Sequence, residues 1–85
     1  MSSNEIKIKI TEEFEDNRKK ADKLFRDIGD AGGFSGQHGQ MRKSNIEASL
    51  AGIDAILGKG NLSLTDLKEL DKFFKSLYEN LGKAA

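Results

Sequence analysis

The chain has no cysteine and a single histidine among its 85 residues. Without thiols it can hold no disulfide, perform no thiolate chemistry and build no thiol-rich zinc site. It also lacks net charge, because fourteen basic and fourteen acidic side chains cancel. Strong non-specific attraction to nucleic acid or anionic membrane, which grows with clustered positive charge, is therefore not expected. No apolar run approaches the roughly 20 residues needed to span a bilayer. The first residues lack the apolar stretch of a signal peptide, so the expectation is a cytoplasmic protein with no membrane contact. Asn61-Leu62-Ser63 matches a glycosylation sequon, but without a secretory signal it reads as chance plus helix capping.

Length sets the next bound. A chain of this size buries only roughly 60–65% of its extended surface. The expectation is one small helical domain over residues 1–85 with a thin core, for which association is a common means of stabilisation.

Within that domain one segment stands apart. Ile6-Lys7-Ile8-Lys9-Ile10 alternates with a period of two, placing three isoleucines on one side and Glu5, Lys7 and Lys9 on the other. Such alternation predicts a half-buried strand over about residues 5–10. No second alternating run follows, so the edge of that strand would need a copy of itself or another protein.

The remainder reads as three amphipathic helices, over about 12–28, 44–57 and 64–81, which makes the fold class mainly α. Thr11 suits an N-cap, Glu12, Glu13, Glu15 and Asp16 suit the positive end of a helix dipole, and Gly29 suits a stop. Phe14, Ala21, Leu24, Phe25 and Ile28 recur at helical spacing, with Glu15–Lys19, Asp16–Lys20 and Asp22–Arg26 as i,i+4 pairs outside. Ser44-x-x-Glu47 has the spacing of a capping box ahead of the stripe Ile46, Leu50, Ile53 and Leu57. Ser63-x-x-Asp66 repeats the device, Leu62 and Leu67 fit a hydrophobic staple, and Leu67, Leu70, Phe74, Leu77 and Leu81 form the third stripe.

Between the first two helices, residues 29–40 hold five glycines and predict a long irregular loop. Phe34 in its middle can either insert into a partner's pocket or fold back onto the core. The loop fits neither phosphate-binding glycine motif, both of which follow a strand. His38 lies in the same loop with no rigidly held nucleophile or carboxylate beside it, which leaves it an exposed polar residue. Neither a cofactor nor a metal is expected. The acidic residues of the first helix are explained by the dipole, and the alternating oxygen ligands of a calcium loop are missing before Asn61.

The order strand, helix, capped helix, with Arg42-Lys43-Ser44-Asn45-Ile46-Glu47-Ala48-Ser49-Leu50 opening the second helix, resembles the ribbon-helix-helix DNA-binding family over residues 5–57. The resemblance implies a dimer whose paired strands enter the major groove, Lys7 and Lys9 (with Glu5) reading bases, and Ser44 near a phosphate. Against that family stand a connection of about fourteen residues where it has a short turn, the absence of net charge, and an added third helix.

The residues themselves point first to a non-enzymatic protein-binding module: an adaptor, assembly factor or inhibitor of a larger protein, of the kind phages and plasmids encode. Lys7, Lys9, Phe34 and His38 are its candidate binding residues. A homo-oligomer fits the same features, and a dimeric DNA-binding regulator is the alternative.

Overall fold

The computed structural model describes residues 2–84 as three helices and two short connections: α1 (Ser3–Asp30), α2 (Gly36–Leu57) and α3 (Leu64–Ala84). Connections of five and six residues make successive helices antiparallel, so α1 and α3 run in the same direction. The assembly is elongated, 48 × 19 × 18 Å, and α1 alone accounts for about 42 Å of that at ~1.5 Å per residue.

The mainly α class holds, but the N-terminal strand does not. Residues 5–10 are two turns of α1, and no strand occurs among the described residues. The cause is local. Ser2 is the N-cap, and its Oγ accepts the Glu5 N–H at 3.2 Å, so Ser2-x-x-Glu5 has the spacing of a capping box. Once nucleated there, a helix propagates at little cost, whereas a lone strand has no partner for its backbone. Thr11 accordingly caps nothing; its hydroxyl donates to the Lys7 carbonyl one turn back, at 2.8 Å. With the strand goes the ribbon on which the DNA-binding resemblance depends.

The glycine segment is also more ordered than its composition predicts. Only residues 31–35 are irregular, and Gly36 already starts α2. Gly32 (φ +82°) closes α1: its N–H donates to the Gly29 carbonyl and that of Gly33 to the Ile28 carbonyl. This is the paired hydrogen bonding of a Schellman cap, placed three residues beyond the expected stop. Because α2 starts eight residues early, Ser44 lies inside it and caps nothing.

The core is one cluster. Ala21 and Ile28 come from α1, Phe34 from the first connection, and Ile46, Leu50, Ile53 and Ile56 from α2. Leu62 precedes α3, which contributes Leu70, Phe74, Leu77 and Leu81. The predicted stripes of the second and third helices are thus largely the buried ones, with Ile56 buried where Leu57 is only half-buried.

The start of α3 is locked as its sequence implied. The Ser63 N–H donates to Asp66 Oδ2 at 2.9 Å, and the Asp66 N–H donates to Ser63 Oγ at 3.1 Å. Lys59 Nζ adds a charge-assisted bond to Asp66 Oδ1 at 2.8 Å. The Lys59 ammonium, followed by the Ser63 amide, lowers the Asp66 carboxyl to about 2. Since the ordinary value is about 3.9, this lock contributes in full above about pH 4 and is lost as pH falls toward about 2.

Candidate interaction surface

The residues singled out from the sequence do not converge. Lys7 and Lys9 are both exposed on α1, but two residues along a helix is roughly 200° of rotation, so they leave opposite sides. Lys7 borders a cleft of mixed character with Asn4, Ile8, Thr11, Glu12, Asn61 and Leu62. Phe34 takes the inward seat: it is 6% exposed, its ring lies over Gly29, and it meets Phe25 at a centroid distance of 5.2 Å. Its carbonyl accepts a hydrogen bond from Gln40 Nε2 at 2.9 Å. His38 is exposed in the first turn of α2. Among the described residues no group of three or more histidine or acidic side chains could hold a metal ion.

The apolar surface lies elsewhere, along the seam between α1 and α3. Phe14 stacks on Phe74 at 5.4 Å, and Phe74 on Tyr78 at 6.2 Å, both within the range for favourable ring pairs. Beside this ladder runs a shallow groove lined by Ile10, Phe14, Leu64 and Leu67, with Lys68, Asp71, Lys72 and Lys75 on its α3 side. Leu64 is 65% exposed and Tyr78 41%. Ile6 and Ile10 are one turn apart on α1, and Leu24 lies five turns beyond Ile6 at ~3.6 residues per turn, on the same side of the helix but separated from them by Glu13, Asn17 and Lys20. Ile6 and Leu24 are both more than two-fifths exposed.

Helix length explains why this seam is open. Arg18 forms a two-pronged ion pair with Asp54, Nε to Oδ1 at 2.8 Å and Nη2 to Oδ2 at 3.0 Å. The hydrogen bond to Asp54 raises the Arg18 pKa further, and a second pair with Asp22 at 3.3 Å holds the guanidinium in place. In an antiparallel pair, that contact puts Leu57, the last residue of α2, level with the turn around Glu15. The first three turns of α1 therefore extend past α2 and have only the start of α3 and the second connection beside them. Ile6 and Ile8 stay about half exposed as a result, at 44% and 58%. The alternation of the isoleucines points to a strand and so away from this surface, whereas the i,i+4,i+8 spacing of Ile6, Ile10 and Phe14 is the sequence signal that leads to it.

Among the described residues no helix is long and apolar enough to cross a membrane. No protein-family model matches the chain, and no curated protein or solved structure matches it at a significant level.

Proposed function

We propose that the chain is a non-enzymatic protein-binding module, acting as an adaptor, assembly factor or inhibitor through the α1–α3 seam. The observation that carries this reading is the apolar groove of Ile10, Phe14, Leu64 and Leu67 between α1 and α3, with exposed Ile6 one turn before Ile10 and exposed Tyr78 stacked on Phe74. Large exposed apolar side chains collected in one strip, with polar groups at its margins, characterise association surfaces. Binding thus moves from the strand edge and the glycine connection to a helical face. A DNA-binding ribbon has no support, since residues 5–10 are helical.

Site-specific photo-cross-linking in the cells that make the protein tests the reading. A photoreactive residue at Leu64 or Tyr78 should give adducts of discrete mass. The same residue at Ala48 or Ala55, exposed on α2, should give none. Equal labelling from all four positions, or none from any, would overturn it.

A further inference from the structure

We infer that the occupant of the α1–α3 seam is a second copy of this chain, paired about a twofold axis running along the groove. The inference rests on the protein-binding reading above and names its partner.

The argument is one of charge register. On the α1 shoulder, Glu13 continues the Ile6–Ile10 stripe at i+3 from Ile10, Asp16 follows one turn on, and Lys20 one turn after that. All three are exposed. On the α3 shoulder stand Lys68, Lys72 and Lys75, also exposed. The shoulders share a common height scale, because α1 and α3 are parallel and the Phe14–Phe74 stack fixes their relative level. Glu13 then falls within one residue, about 1.5 Å, of the level of Lys72, and Asp16 within the same distance of that of Lys75.

A twofold axis along the groove, lying in the contact plane, brings the α1 shoulder of one copy against the α3 shoulder of the other at equal height. Acidic residues then meet basic ones twice over, and the apolar strip between them is covered by its own image. This is the self-complementarity an isologous interface requires. A twofold axis across the groove would set each shoulder against itself, lysine facing lysine. One pairing opposes the arrangement, since Lys9 comes within one residue of the level of Lys68. The 3.1 Å ion pair of Lys75 with Asp71 joins two exposed side chains within one helix, so it is readily exchanged for a contact across the interface.

Size-exclusion chromatography with light scattering tests this on the full chain over a hundredfold dilution. The wild type should show twice its 9.4 kDa mass at high concentration and tend to the single mass on dilution. Glu13→Lys with Asp16→Lys, and separately Lys72→Glu with Lys75→Glu, should each be monomeric with unchanged helical circular dichroism. Mixed in equal amounts, the two variants should recover the double mass, because each supplies the shoulder the other now needs. A wild type that stays monomeric overturns the inference, as do variants that remain dimeric alone or fail to pair when mixed. The two readings can fail separately. Adducts from Leu64 and Tyr78 to a different protein, with a monomeric chain, would remove the second copy and leave the module. An unlabelled seam would remove both.

Discussion

Leu70→Ala should cost about 2–5 kcal/mol of folding stability. Leu70 is fully buried on the inner face of α3, in the same cluster as Ile46, Ile53, Leu77 and Leu81. Truncation loses the transfer free energy of three carbons and leaves a cavity that rigid neighbours fill only in part. A domain of this length has roughly 4–13 kcal/mol in total, so the loss is a large share of the whole. At ~4–8 °C per kcal/mol for a domain of this size, the variant should melt at least about 8 °C lower. Urea unfolding checks it: the midpoint should fall with the slope unchanged. Leu64→Ala, on the same helix but mostly in solvent, should change stability by under about 0.5 kcal/mol. A Leu70→Ala cost below about 1 kcal/mol would contradict the placement of the core.

The second large effect comes from a residue that looks harmless. Gly39→Ala normally favours a helix, by about 1 kcal/mol. Here a Cβ would lie 2.5 Å from the Phe34 carbonyl carbon and 2.8 Å from its oxygen. Those are backbone atoms and cannot swing aside. Either α2 moves off the first connection or Phe34 leaves its seat against Phe25, and overpacking of this kind costs about 1–3 kcal/mol or more. Set against the helix-propensity gain, the expected result is a net loss of up to about 2 kcal/mol. Gly82→Ala supplies the contrast: nothing lies near its position, so that variant should gain up to about 1 kcal/mol. Thermal melts of the pair should move in opposite directions, and two upward shifts would contradict the packing of α2 on the Phe34 carbonyl.

Gly39 also shows what the sequence could convey and what it could not. The stripes of α2 and α3 were legible because large side chains recur there at helical spacing and little else competes. Ser63-x-x-Asp66 was legible too, since the helix does start at that point. The identical reasoning failed at Ser44, where tertiary packing lets α2 begin at Gly36. Five glycines in residues 29–40 suggested a flexible loop, yet they serve different ends. Gly32 and Gly36 use positive φ, at 82° and 75°, while Gly39 is helical and is there for want of a side chain. Composition cannot separate these uses; only the proximity of the Phe34 backbone does.

The isoleucine run carried the largest consequence. Five alternating residues satisfy a period of two, but Ile6, Ile10 and Phe14 satisfy the helical repeat equally well, and the cap at Ser2 decides between them. That choice determines the candidate site. As a strand, residues 6–10 would have offered a backbone edge. As helix, they offer side chains at the end of an apolar strip shared with α3, while the ion pair of Arg18 with Asp54, invisible at a separation of 36 residues, sets where α2 ends beside them.

The backbone conformation of residues 3–10 in solution is therefore the most direct measurement. The Cα chemical shifts of the full chain should show continuous helical displacement from Ser3 through Phe14. Strand-like or random-coil shifts over Glu5–Ile10 would contradict the extended α1 and, with it, the surface assigned to the α1–α3 seam.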